Sequence, residues 1–115
     1  MVLAVDDDDL VLLNTVAMLE DLGHRVIEAT SGAEALKEID SDAGIDLVVS
    51  DQIMPEMTGD QLAGAISRKR PGLPVILVSG YAEIPRSADP SIHRLAKPFT
   101  QRELAAALGT AIRGR

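Results

Sequence analysis

Apolar and polar residues follow two alternating periods along this chain. Short, mostly β-branched runs lie at Val2–Val5, Arg25–Ala29, Leu47–Ser50 and Val75–Val78, with a weaker one at Ile92–Ala96. Such runs, separated by turn-forming and charged residues, predict strands. The middle runs are continuously apolar, as expected where a strand is covered on both faces. Between the runs the spacing changes to that of an amphipathic helix. Leu12, Val16 and Leu19 recur at helical intervals, and Gly23 supplies the stop. Three later segments open with a Ser or Thr followed by Glu or Gln: Ser31 with Glu34, Thr58 with Gln61, and Thr100 with Glu103. In such a capping box the two side chains satisfy each other's backbone donors at a helix start. Behind them come Leu36 and Ile39, then Leu62 and Ile66, then Leu104, Leu108, Ala111 and Ile112. Each set gives its helix an apolar face.

Strands that alternate with helices imply a parallel sheet with helices on both faces. The expectation is a doubly wound, five-stranded α/β domain of flavodoxin-like order 2-1-3-4-5, spanning residues 1–115 as a single unit. Ligands of such sheets bind beyond the carboxyl ends of the strands, at the switch point between the first and third. No internal repeat, linker or low-complexity segment interrupts the pattern.

Composition narrows the possibilities. The 115 residues are 46% hydrophobic, with one Tyr, one Phe and no Trp, so the core is aliphatic. The net charge of −7 argues against direct binding of nucleic acid, which needs a basic footprint. The absence of cysteine excludes disulfides, thiolate metal sites and thiol nucleophiles. No apolar run approaches a membrane span, so no direct membrane contact is expected. The chain opens on a strand-like run with no leader-like segment, and the expected location is cytoplasmic.

The residue after each strand tests the switch-point rule. Asp6 and Asp7 follow the first strand, Asp51 the third, Ser79 the fourth and Lys97 the fifth. The second strand, an edge in this order, ends blandly in Ala29 and Thr30. The crevice thus collects acids, a hydroxyl and a cation. This set suits metal-assisted phosphoryl transfer. Mg²⁺ favours oxygen ligands, a carboxylate can act as nucleophile, and cations and hydroxyls stabilise a transferring phosphoryl group. Each residue alone has a plainer reading as a turn former, cap or surface charge. Asp9 is expected to cap the first helix, and Asp8 to be a solvated neighbour.

The segments "VDDDD", "DLVVSDQIMPEMTG", "PVILVSG" and "KPF" occur in an order and spacing that closely resemble receiver domains of two-component response regulators, over the whole chain. "DQIMPEMTG", "SGYAE" and "LAKPF" are most similar to the receivers of hybrid sensor histidine kinases. The resemblance implies that Asp51 accepts a phosphoryl group from a sensor histidine kinase or a histidine phosphotransfer domain. It implies that Asp6, Asp7, Asp51 and the backbone carbonyl of Ile53 hold Mg²⁺ (or Mn²⁺). Ser79 and Lys97 would contact the phosphoryl oxygens, and the Lys97–Pro98 bond would be cis. The protein would be a slowly dephosphorylating switch, not a turnover enzyme. A homodimer is compatible with this reading.

The chain also departs from the family pattern. Receivers usually carry Tyr or Phe three residues before the lysine, where this sequence has Arg94. A buried charge is costly unless paired, so Arg94 must meet either the phosphorylated Asp51 or another acid. Between Ser79 and Lys97 the connection is short and holds Pro85 and Pro90, so its helix should be at most about one turn, roughly Pro85–Ala88. A partner surface built from the first and last helices follows. His24 and His93 lack the helical setting of a phosphotransfer histidine and read as surface residues. Two other functions compete: a partner-binding receiver that takes no phosphoryl group, and a small phosphatase of the haloacid-dehalogenase type. The first conflicts with an intact residue set, and the second with the short chain. An EF-hand fails for want of the required glycine.

Overall fold

The computed structural model describes residues 1–42, 44–79 and 92–113. The elements in order are β1 (Val2–Val5), α1 (Asp9–Asp21), β2 (Val26–Ala29), α2 (Gly32–Ser41), β3 (Leu47–Asp51), α3 (Gly59–Lys69), β4 (Val75–Ser79), β5 (Ile92–Ala96) and α4 (Gln101–Arg113). The strands form one sheet in the order β2-β1-β3-β4-β5, and every pairing is parallel. This is the architecture expected from the alternating periods. The shortened helix expected between β4 and β5 lies outside the described residues.

Strand alternation divides the core into two layers. Leu3, Val5, Val48, Val75 and Leu77 point to one side and meet Ala35 and Ile39 of α2 and Leu62 and Ile66 of α3. Val2, Ala4, Val49, Ile76 and Val78 point to the other and meet Leu12, Val16 and Leu19 of α1 and Leu104, Leu108 and Ala111 of α4. All residues of β3 and β4 are buried, while most of the edge strands β2 and β5 is only partly so. The histidines are both half-buried, not fully on the surface: His24 in the turn after α1 and His93 on β5.

The helix starts differ from expectation in two places. Asp8, not Asp9, caps α1. Its backbone is extended (φ −91°, ψ 111°), and its Oδ1 accepts from Leu10 N at 3.0 Å and Val11 N at 3.3 Å. Asp9 is instead in the first turn, where a negative charge favours the positive end of the helix. At α2, Ser31 caps Glu34 N, but the Glu34 carboxylate reaches past Ser31 to Thr30 N at 3.1 Å. The boxes at Thr58–Gln61 and Thr100–Glu103 close reciprocally as expected. Gly23 ends α1 at φ +95°, with Gly23 N on Glu20 O and His24 N on Leu19 O. Those two bonds are a Schellman closure, which favours glycine at that position.

The start of α3 presses directly on the end of β3. A Cβ on Gly59 would stand 2.6 Å from Asp51 O, 2.8 Å from Leu77 Cδ2 and 2.9 Å from Gln52 Cα. Gly64, in the middle of the same helix, would meet only Arg68 Nη1, at 3.9 Å. Urea unfolding should therefore separate the two. Gly59→Ala is expected to cost about 1–3 kcal/mol by overpacking. Gly64→Ala should be neutral or stabilise by roughly 0.5–1 kcal/mol, as alanine does in a helix interior. Equal effects at the two positions would contradict the close approach of α3 to Asp51.

Candidate functional site

Parallel pairing brings every strand to one carboxyl edge, and there the polar residues gather. Val5 pairs with Ser50 and Asp51 with Val78, so the residues after β1 and at the end of β3 are neighbours. The oxygens offered by Asp6, Asp7 and Asp51 all lie within 4.8 Å of one another. Asp6 and Asp51 are buried, while Asp7 is exposed. Ser79 ends β4, one residue past the Asp51–Val78 pair, and is 1% exposed. Lys97 follows β5 and is drawn in by Lys97 N, which donates to Ser79 O at 2.9 Å. Its Nζ lies 2.6 Å from Asp51 Oδ1. That contact pairs the ammonium with a buried carboxylate oxygen. The Lys97–Pro98 bond is cis, as the resemblance implied.

Burial pushes the Asp6 carboxyl above its ordinary range. The hydrogen bond from Asp8 N to Asp6 Oδ1, at 2.9 Å, opposes that shift, the charge of Asp51 adds to it, Lys97 opposes it and Asp7 adds again. Asp8 thus has two tasks: its side chain caps α1 and its N–H steadies Asp6. Asp8 itself stays exposed.

All donors of the acidic group are oxygens, and three carboxylates share a small volume. That set fits a hard divalent cation. Ile53, at the exposed start of the loop from β3 to α3, is two residues beyond Asp51. Beside the acids a cleft of about 420 Å³ opens between α1 and the loop after β5, with Val11, Met18, Pro98 and Phe99 among its walls. Asp6, Asp51 and Lys97 line the same cleft. An approaching group therefore meets apolar walls and a charged floor.

Sequence reasoning missed a second cluster, on the other side of Asp51. Gln52 Nε2 donates to Asp60 Oδ2 at 3.1 Å, and Asp60 N donates to Gln52 Oε1 at 2.9 Å. Arg94 Nη2 stands 3.6 Å from Asp60 Oδ1. Arg94 thus pairs with an acid, one of the two fates open to it. The signal available in the sequence was the unexplained charge on β5; nothing in the spacing pointed to Asp60.

The family profile of the response regulator receiver domain matches residues 2–109. The chain is 41% identical over 111 residues to the sensor kinase CckA of Brucella abortus (strain 2308), covering 90% of this chain and 12% of the kinase. It is 32% identical over 108 residues to the response regulator receiver protein CpdR of the same organism, covering 90% of this chain and 88% of that protein. Among solved structures it resembles the receiver domain of the hybrid histidine kinase CckA, with a TM-score of 0.79 at 28% identity over 96% of this chain and 97% of that one. The chain thus spans only a small part of the sensor kinase it matches and most of the receiver protein CpdR. Among the described residues no helix is long and apolar enough to cross a membrane. With the matched profile, the parallel five-stranded sheet and the acidic group at its switch point, the chain belongs to the response regulator receiver domain family, the phosphoacceptor switches of two-component signalling.

Proposed function

We propose that this receiver accepts a phosphoryl group on Asp51 from a phosphohistidine, carried by a sensor histidine kinase or a histidine phosphotransfer domain, in the cytoplasm. The observation that supports this most is the setting of Asp51. It is buried at the end of the central strand, in a group of acids whose oxygens lie within 4.8 Å, with Lys97 Nζ at 2.6 Å. An Asp51 oxygen attacks phosphorus, the bond from phosphorus to the donor imidazole breaks, and the imidazole nitrogen leaves with the electron pair. Lys97 and the Ser79 hydroxyl balance and bind the phosphoryl oxygens. Asp6, Asp7, Asp51 and the Ile53 carbonyl would hold Mg²⁺ or Mn²⁺, which supplies charge neutralisation for the carboxylates and the phosphoryl group. The acceptor is consumed in each transfer and restored by slow hydrolysis, so residues 1–115 act as one switch and not as a turnover enzyme.

Incubation with Mg²⁺ and acetyl phosphate should add one phosphoryl group, read by intact mass. Asp51→Asn should abolish it. If Asp51→Asn is labelled as fully as the parent, the assignment fails. If the parent itself stays unlabelled by either acetyl phosphate or a phosphohistidine donor, the chain is a partner-binding receiver instead.

The acid group should also weaken the metal-free fold. A ligand that binds only the native state stabilises it by RT ln(1 + [L]/Kd), about 1.4 kcal/mol at ten times Kd. Mg²⁺ should therefore raise the Tm, by roughly 4 °C per kcal/mol in a domain of this size. Asp6→Asn keeps the acceptor for Asp8 N and removes a buried charge. It should raise the Tm in EDTA and shrink the response to Mg²⁺. A Tm indifferent to millimolar Mg²⁺ in the parent would count against a cation at this group.

A further inference from the structure

Gln52 directly follows Asp51, and every hydrogen-bonding group it owns is used. Gln52 N donates to Val78 O at 3.0 Å, and Gln52 O accepts from Gly59 N at 2.8 Å. Its Oε1 accepts from Asp60 N, and its Nε2 donates to Asp60 Oδ2. This one residue thus ties β3 to β4 through its backbone N–H, and to the first turn of α3 through its backbone carbonyl and its side chain. Two of the N-terminal amides that a helix leaves unpaired, those of Gly59 and Asp60, close on this single residue.

Asp60 in turn depends on Arg94. The register sets Arg94 beside Leu77, and alternation points it to the α3 side of the sheet. Both of its terminal nitrogens are buried and make no hydrogen bond among the described residues. Their charge partner is the Asp60 oxygen that Gln52 leaves open, 3.6 Å from Nη2. A buried guanidinium short of hydrogen bonds is strongly attracted to that carboxylate. The Asp60 carboxylate is therefore held from both sides, by an amide and by a cation. Without Arg94, the carboxylate would be free to turn from Gln52, and its uncompensated charge would add to the acidic field around Asp51.

We propose that Arg94 and Asp60 are positioning residues for phosphoryl transfer at Asp51, acting through Gln52. The proposal rests on the reading of Asp51 as phosphoacceptor. Gln52 joins Asp51 to Ile53, so a loosened Gln52 misplaces the nucleophile and the adjacent carbonyl together. Misplacement of a reacting group by 1 Å can cost ~10²-fold in rate. A slackened tether several bonds away should cost about tenfold, mainly in the rate constant at saturating phosphodonor, with little change in KM.

The test is phosphorylation of the whole chain by acetyl phosphate with Mg²⁺, followed over time by intact mass across a range of donor concentrations. Asp60→Asn keeps the shape and an acceptor for Gln52 but removes the charge that Arg94 meets. Arg94→Met keeps much of the side-chain volume and removes the cation. Each should slow the saturated rate about tenfold, and Arg94→Lys should restore most of it. Melting curves check that each variant is folded, and if one is not, the other is read. In a Gln52→Met background, Arg94→Met should cause little further loss, because residues acting through a common link are non-additive. If folded Arg94→Met and Asp60→Asn are phosphorylated at the parental rate, the proposal is wrong while the assignment of Asp51 stands. If Arg94→Met costs its full factor in the Gln52→Met background, the relay through Gln52 is wrong. If the parent is not phosphorylated at Asp51, both readings fall together.

Discussion

Carboxylates whose oxygens lie within 4.8 Å repel, and this repulsion sets the terms for the rest of the molecule. At an effective dielectric of about 20, one such pair costs on the order of 3 kcal/mol. A domain of this kind is stable by only ~5–15 kcal/mol in total. The acids can be kept together only by a scaffold that cannot relax to separate them. The buried middle of the sheet is such a scaffold. β3 and β4 are buried along their whole length, and helices pack against them on both faces. The polar residues are confined to the strand ends, where the pairing of β1 with β3 leaves no freedom to move Asp6 away from Asp51. Partial relief comes from two sources within the chain: Lys97 approaches Asp51, and Asp8 N donates to Asp6. A divalent cation at this group would supply what these leave uncompensated.

The same constraint explains why α3 starts where it does. Gln52 uses its backbone and side chain to hold the first turn of α3 against the strand end, and Gly59 is small enough to allow the approach. The loop between them is correspondingly tight. Glu56 takes a positive φ of 68°, and Met54 is buried beneath the loop. Met57 lies so close to Gly32 that a side chain there would overlap its sulfur. Repulsion in the acid group is thus resisted by covalent and hydrogen-bonded connections on both flanks of Asp51, and not by Lys97 alone.

How much of this could be read in advance follows from what carries period and what does not. The strands, the helices and the sheet order come from apolar spacing, which repeats along the chain and is visible in any window. Asp6, Asp7, Asp51, Ser79 and Lys97 were legible because a parallel sheet sends all its carboxyl ends to one edge, so a position in sequence becomes a position in space. Caps were less legible. With aspartate at every position from Asp6 to Asp9, composition cannot decide which one adopts the extended backbone of a cap, and the packing of α1 on Leu12 and Val16 selects Asp8. Glu34 bypasses Ser31 because Thr30 offers it both an N–H and a hydroxyl. The Arg94–Asp60 pair was illegible for a stronger reason. It joins an edge strand to a distant helix start, and no local period records such a meeting.

β5 brings these threads together. Its signal was the weakest of the five because His93 and Arg94 interrupt the apolar run. The interruption is possible because β5 is an edge strand, half-buried and paired only to β4 among the described residues. A central strand would have to bury an arginine on both sides, whereas β5 lets the guanidinium reach past the sheet to the open oxygen of Asp60. The same strand ends in Lys97, which reaches to Asp51. One strand therefore delivers two cations to this end of the sheet: Lys97 to the Asp51 carboxylate, and Arg94 to Asp60, which bonds the neighbouring Gln52. The residues that blurred the strand in the sequence are thus the ones through which the strand serves the site.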